Sequence, residues 1–191
     1  MPNGHVLSKY LGDHLVKLLL PDDIASRLNI ALAKARRQEI GGLIVGEHVT
    51  DETFRIVDIS IQTSHGTPTH FERDPVLHAE FLREFFERTG RDFERYNYLG
   101  EWHSHPSFDP IPSADDVRTM RSIVSDPKVG VNFAVLLIVR RTGSTRLALS
   151  ATAFSQLLPP ESVTVVGDVG TAARKRSLME ASLDWLRNLV S

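Results

Sequence analysis

Residues 101–116 leave this chain few choices of local structure. They include His103 and His105, which are separated by a single residue. If both histidines lie on a strand, the two-residue period puts their imidazoles on one face of the sheet and turns Ser104 to the other face. The pattern predicts a strand over about 96–105 that presents a pair of metal-ligand side chains.

A proline-containing loop follows and determines where the next helix starts. Pro106, Pro110 and Pro112 cannot continue a helix, so the helix should begin at Ser113, with Ser113 as N-cap and Asp116 in the first turn. A capping pair and a metal site are compatible, because a cap holds a carboxylate rigidly. Two imidazoles and one carboxylate suit Zn²⁺, and three protein ligands leave the fourth tetrahedral position for water. The stretch therefore predicts a hydrolase.

Composition narrows the class of protein. The 191 residues are 41% hydrophobic and 24% charged, which fits one globular domain with a terminal appendage. The net charge is -2 with both signs interspersed, which disfavours nucleic acid and membrane surfaces as partners. We find neither an apolar run near the roughly 20 residues of a membrane span nor a secretory signal, so we expect a cytoplasmic protein. The absence of cysteine excludes disulfides and a cysteine nucleophile.

The order of the predicted elements indicates an α/β (α+β) fold with a mixed sheet flanked by helices. Helices are predicted over 22–37, 76–89, 113–124 and 172–189. Strands are predicted over 39–46, 53–61, 96–105, 132–139 and 145–154. The apolar segment 15–20 is compatible with either a strand or a short helix. We expect a domain over 1–160 and a C-terminal segment over 161–191, whose helix would dock on the domain or on a second subunit.

A metal hydrolase also needs a general base that takes a proton from the attacking water and returns it to the leaving amine. Glu101 shares a strand face with His103 and His105, so local geometry nominates it first. Glu39, at the start of the glycine-rich strand, is the competitor. Spacing alone leaves the choice between the two carboxylates open.

These residues resemble the JAMM motif of the JAB/MPN metallopeptidases, which consists of an upstream Glu, His-Ser/Thr-His, seven residues, Ser, two residues and Asp. Glu39, His103, His105, Ser113 and Asp116 match every position of that motif. The resemblance implies the JAB1/MPN fold, a curled mixed sheet that is also described as cytidine-deaminase-like. It further implies that the two histidines and the aspartate bind one Zn²⁺, that Glu39 is the general acid/base, and that Ser113 hydrogen-bonds the water or the oxyanion.

The resemblance covers roughly 24–154 and also implies a substrate. The family cleaves isopeptide bonds to ubiquitin-like modifiers, or linear bonds just after them. The segment 100–106 is similar to peptidases encoded in antiphage operons of CBASS or Bil type, beside ubiquitin-activating-like and ubiquitin-conjugating-like enzymes. The implied partners are a ubiquitin-like modifier or its conjugate and the conjugation enzymes. The modifier tail would add to an exposed strand edge, with the loops 64–75 and 107–112 beside the groove.

Three alternatives use the same residues. RadC-like JAB proteins share the pattern His-x-His-Pro-Ser-x-Asp-Pro-x-Pro-Ser with 103–113, but an association with DNA metabolism favours a more basic surface than this one. A non-catalytic MPN-type scaffold usually lacks the ligands that are intact here. A fold that binds zinc without catalysis differs from the enzyme only in an activity assay.

Overall fold

The computed structural model describes residues 16–64, 66–67, 70–71 and 74–168. This part of the chain contains three helices, α1 (Asp22–Ala35), α2 (Pro75–Arg88) and α3 (Ala114–Ser125). Its strands are β1 (Lys17–Pro21), β2 (Gly41–Thr50), β3 (Thr53–Ile59), β4 (Gly66–Thr67), β5 (His70–Phe71), β6 (Tyr96–Ser104), β7 (Phe133–Arg141), β8 (Leu147–Ser155) and β9 (Glu161–Asp168). None of the described helices combines the length and the apolar character that crossing a membrane requires.

Seven of the strands close into a barrel in the order β1-β3-β2-β6-β7-β8-β9, and β4 and β5 form a separate two-stranded sheet. The barrel is mixed, because β6 runs parallel to β7 and β1 runs parallel to both β3 and β9. The pairs β2–β3, β2–β6, β7–β8 and β8–β9 are antiparallel. The predicted mixed, curled sheet flanked by helices is confirmed.

The barrel is closed by strands at its two ends, neither of which the sequence identified as a strand. The segment 15–20, whose type was open, forms β1, with Leu18 and Leu20 buried. Strand β9 extends the sheet past residue 160, where the sequence placed the domain end, because Val163 and Val165 pack on the core. The barrel therefore includes residues up to Asp168. The helix predicted over 172–189 lies outside the described residues.

The sheet carries an apolar cluster on each face. Helix α1 covers one face, where Ile24, Leu28 and Leu32 pack into the same cluster as Trp102 of β6. Helix α3 covers the other face with Met120, Ile123 and Val124, against Ala134, Leu136, Ile138 and Phe154. Strand β7 supplies both clusters with alternate residues, as a fully buried strand does. Each fully buried large apolar side chain stabilises the fold by roughly 1.5–3 kcal/mol.

A β-bulge directs the side chains of β6. The residue pairs between β2 and β6 skip Leu99, where the register shifts between Ile44 and Val45. The extra residue lets Leu99 and Trp102, three positions apart, enter the same cluster under α1. Since strand side chains alternate, His103 then faces the opposite side of the sheet.

Helix α2 leaves part of its apolar surface exposed. Phe85 is buried, whereas Leu77 is 42% and Val76 78% exposed. His78 is also buried, and its Nδ1 lies 3.1 Å from Ser60 Oγ. His78 therefore anchors α2 to the sheet.

Asp58 of β3 connects two helices to the barrel. Its carboxylate accepts hydrogen bonds from Arg27 of α1 at 2.7 Å, from Arg88 of α2 at 2.8 Å and from the Ile59 N–H at 2.8 Å. Burial raises the pKa of the carboxyl, but these hydrogen bonds outweigh burial and hold the pKa of Asp58 below its usual 3.8.

We expect Asp58→Asn to lower the free energy of unfolding at neutral pH and to reduce the amount by which this free energy falls as the pH is lowered. The folded-state pKa of Asp58 is below the unfolded value of about 3.9, so its contribution is present above that pH and is lost as pH falls through the folded-state pKa. Urea unfolding from pH 7 to pH 3 measures the effect. Asp51→Asn, in the exposed β2–β3 turn, is the control. A difference in the free energy of unfolding between Asp58→Asn and wild type that stays constant across this pH range would contradict the prediction.

Candidate metal centre

Two histidines and an aspartate meet at the end of β6. His103 Nε2 lies 3.1 Å from His105 Nε2 and 3.5 Å from Asp116 Oδ1, and His105 Nε2 lies 3.9 Å from Asp116 Oδ2. In the part of the chain that the structure describes, these three side chains form the group that could hold a metal ion. Strand β6 supplies His103, the residue directly after the strand is His105, and the first turn of α3 supplies the aspartate.

The spacing and the donor types fit zinc. With zinc about 2.0–2.1 Å from its nitrogen and oxygen ligands, the ligand atoms of a tetrahedral site lie about 3.4 Å apart. The separations from His103 Nε2 to His105 Nε2 and to Asp116 Oδ1, 3.1 and 3.5 Å, lie close to that value, and the ligand atoms of the three residues all lie within 4.8 Å of one another. Two imidazoles and one carboxylate also leave one tetrahedral position free. The arrangement corresponds to an open, catalytic type of site.

Both imidazoles present an unprotonated nitrogen. His105 Nδ1 lies 3.0 Å from the Asp109 carbonyl oxygen, and since a carbonyl only accepts, this contact selects the tautomer of the neutral ring that has its proton on Nδ1 and its lone pair on Nε2. Burial lowers the pKa of His103 from 6.5 to about 4; the Asp116 charge opposes this shift and His105 adds to it. His103 is therefore neutral at pH 7.

A capping box orients Asp116. Its Oδ2 accepts from the Ser113 N–H at 2.7 Å, and its own N–H donates to Ser113 Oγ at 3.1 Å. Helix α3 starts as predicted, with Ser113 as N-cap. Since Oδ2 is used by the cap, Oδ1 is the oxygen that faces His103. The Ser113 oxygen accepts in this arrangement, so its hydroxyl hydrogen remains able to donate.

Glu39 is a buried carboxyl two residues ahead of β2, with 5% of its surface exposed. Burial, and secondly the Asp116 charge, raise the pKa of Glu39 from 4.5 to about 7. A carboxyl with this pKa takes up and releases a proton near neutral pH. Glu101, the other candidate base, is half-buried on β6 and pairs with Leu43 of β2 and Leu136 of β7.

Ser104 joins the ligand strand to the segment that carries Glu39. Its N–H donates to the Ile40 carbonyl at 2.8 Å, and its Oγ accepts from the Ile40 N–H at 3.0 Å. The residue is fully buried. The strand period in the sequence predicted that Ser104 faces away from the metal ligands. The sequence of a single strand, however, does not identify the partner of Ser104 on another segment.

Known proteins resemble this chain over the region that builds the site. Residues 23–151 match the family model Prok-JAB, described as prokaryotic homologs of the JAB domain. The chain is 32% identical over 126 residues to the CD-NTase/cGAS isopeptidase of Enterobacter hormaechei, covering 62% of this chain and 64% of that protein. It is 36% identical over 85 residues to the ubiquitin carboxyl-terminal hydrolase RPN11 of Saccharomyces cerevisiae, covering 44% of this chain and 26% of that protein. The chain spans less than two thirds of either relative.

A solved structure shares the fold. The solution structure of a protein from Desulfitobacterium hafniense matches with a TM-score of 0.59, covering 80% of this chain and 93% of that one. The two sequences are 17% identical, so the likeness concerns the fold alone.

We expect Ser104→Ala to lower the free energy of unfolding by about 1–3 kcal/mol, because it leaves the buried Ile40 N–H without its side-chain acceptor. Denaturant unfolding of the metal-free protein measures the change. Ser104→Thr retains the hydroxyl and is expected to lose less stability. An alanine variant as stable as wild type would contradict the prediction, because it would show that this hydrogen bond contributes nothing to stability.

Proposed function

The chain belongs to the family of prokaryotic homologs of the JAB domain, and we propose that it is a zinc-dependent isopeptidase or peptidase that cleaves the bond after the C-terminus of a ubiquitin-like modifier. The observation that carries this proposal is the meeting of His103, His105 and Asp116 within 4.8 Å. The buried Glu39, whose pKa is raised to about 7, supports it. The intact ligand group argues against a non-catalytic MPN-type scaffold, and the net charge of -2 argues against a RadC-like role on DNA.

The chemistry of the bond calls for a metal in this chain. An amide is a poor electrophile, and the sequence has no cysteine to attack it. A zinc ion held by His103, His105 and Asp116 would supply an acidified water and polarise the scissile carbonyl. The remaining work of proton transfer and charge stabilisation falls to side chains.

Glu39 and Ser113 would divide that work. The Glu39 carboxylate takes the proton of the attacking water and delivers it to the nitrogen of the leaving amine, which its pKa near neutrality allows in both directions. The Ser113 hydroxyl donates a hydrogen bond to the carbonyl oxygen as negative charge develops there. Its bond to the Asp116 N–H holds Ser113 Oγ beside the ligands.

The surface next to the ligands suits an extended apolar peptide. Phe108 and Ile111 are 52% and 66% exposed in the loop that follows His105.

Among the described strands, every barrel strand pairs on both sides. The β4–β5 pair is therefore the edge to which a modifier tail would add by main-chain hydrogen bonds.

The biological setting is proposed from two resemblances. The Enterobacter protein is named as a CD-NTase/cGAS isopeptidase, and residues 100–106 resemble peptidases of antiphage operons, so we propose an antiviral defence operon in the cytoplasm as the setting of this chain. Its partners would be a conjugate of a ubiquitin-like modifier and the conjugation enzymes of the same operon.

Variants at the two carboxylates and at one ligand test the mechanism. Glu39→Gln should keep one zinc per chain by elemental analysis and lose about 10²–10⁴-fold in the cleavage rate of a modifier fusion. His103→Ala should lose both zinc and cleavage. Glu101→Gln is the matched control and should stay active; an active Glu39→Gln with an inactive Glu101→Gln would assign the base to Glu101 instead.

Phe108→Ala tests the substrate surface. Loss of an exposed aromatic contact should raise KM for a modifier fusion by about tenfold, with kcat and zinc content unchanged. Leu157→Ala, which is 86% exposed in the β8–β9 connection, is the control. An unchanged KM in Phe108→Ala would remove this loop from the proposed groove.

A further inference from the structure

Arg140 holds two consecutive residues of the loop 106–112. It lies near the end of β7, which pairs with the ligand strand β6. Its Nη1 donates to the Phe108 carbonyl oxygen at 3.2 Å and to Asp109 Oδ1 at 3.0 Å. One of these acceptors belongs to the main chain and the other to a side chain, so Arg140 restrains both the path of the loop and the orientation of Asp109.

The restrained point is the one that contacts His105. The Asp109 carbonyl oxygen lies 3.0 Å from His105 Nδ1 and also accepts the Ile111 N–H at 2.8 Å. The residue before Arg140, Val139, accepts the His105 N–H at 3.1 Å. The end of β7 therefore holds the His105 main chain directly and the His105 ring through the loop.

We propose that Arg140 is a positioning residue for the metal centre. By fixing the Asp109 carbonyl against His105 Nδ1, it keeps Nε2 as the unprotonated nitrogen and keeps the ring turned toward His103 and Asp116. The inference rests on the zinc site proposed above. Removing a group that orients a metal-ligating histidine typically weakens metal binding by about 10–100-fold.

If Arg140 had a purely structural role, its loss would lower the free energy of unfolding of the metal-free protein. The Asp109 side chain is 74% exposed and that of Arg140 is 33% exposed. An ion pair this accessible contributes little to the free energy of unfolding. Loss of Arg140 should therefore leave the stability of the metal-free protein nearly unchanged, and the effect should appear in metal binding.

The adjacent arginine provides a matched control. Arg141 Nε donates to Asn29 Oδ1 at 3.0 Å, and its Nη2 donates to the Ser144 carbonyl at 3.2 Å. These contacts connect the β7–β8 turn to α1 and do not involve the loop 106–112. Arg141→Met removes the same charge from the neighbouring position.

The test uses the full chain and two metal probes. Competition with a fluorescent chelator gives the Zn²⁺ affinity, and the visible absorption of bound Co²⁺ reports the ligand geometry. Arg140→Met should bind Zn²⁺ at least about tenfold more weakly than wild type and change the Co²⁺ spectrum. Arg141→Met should match wild type in both, and Arg140→Lys, which retains a charged donor, should recover part of the affinity.

Further variants separate the possible outcomes. Asp109→Ala retains the carbonyl oxygen but loses the side-chain contact with Arg140. Its loss of Zn²⁺ affinity should therefore be smaller than that of Arg140→Met, and the two losses should not add in the double variant. If Arg140→Met fails to fold in a thermal melt, Arg140→Lys and Asp109→Ala decide the question. Wild-type zinc affinity in these Arg140 and Asp109 variants would overturn the inference alone, whereas a wild-type chain that binds no zinc would overturn the proposed function with it.

Discussion

The reciprocal hydrogen bonds between Ser104 and Ile40 are the contact on which the arrangement of the site depends. They join two residues that are 64 positions apart in sequence. Ser104 lies between the two candidate histidine ligands, and Ile40 follows the buried carboxyl of Glu39. The contact therefore sets the separation between the ligand pair and the proposed base. Because both bonds are buried, water does not compete for them.

Main-chain groups hold the remaining parts of the centre. Asp116 is oriented by the Ser113 N–H, and His105 by the Asp109 carbonyl. Main-chain groups on ordered elements have little conformational freedom, so these two candidate ligands would be held in place before an ion binds. A site arranged in this way loses little entropy on binding, which favours high affinity from only three protein ligands.

Local patterns predicted the parts of this structure that depend on neighbours in sequence. The alternation of His103 and His105 and the cap at Ser113 required only a few residues each, and the structure contains both. The choice between Glu101 and Glu39 depends on burial and on the Asp116 charge, which only the assembled fold brings about. Arg140 acts through the main chain of a distant loop, and a main-chain oxygen has no signature in sequence. Strand β9 pairs with its sequence neighbour β8 and also with β1, and this second partner lies at the other end of the domain, where a local pattern does not reveal it.

Closure of the barrel by β1 and β9 determines when this domain can finish folding. Lys17 pairs with Thr164 and Pro21 with Asp168. The first strand of the barrel therefore cannot complete its pairing until the last strand has left the ribosome. The residues of the candidate metal centre, from Glu39 to Asp116, are all synthesised before that moment. During this interval, β1 and β8 present open edges, which are the surfaces through which incomplete sheets associate with one another. Long-range closure of this kind gives a high contact order, and slow, late completion of folding follows from it.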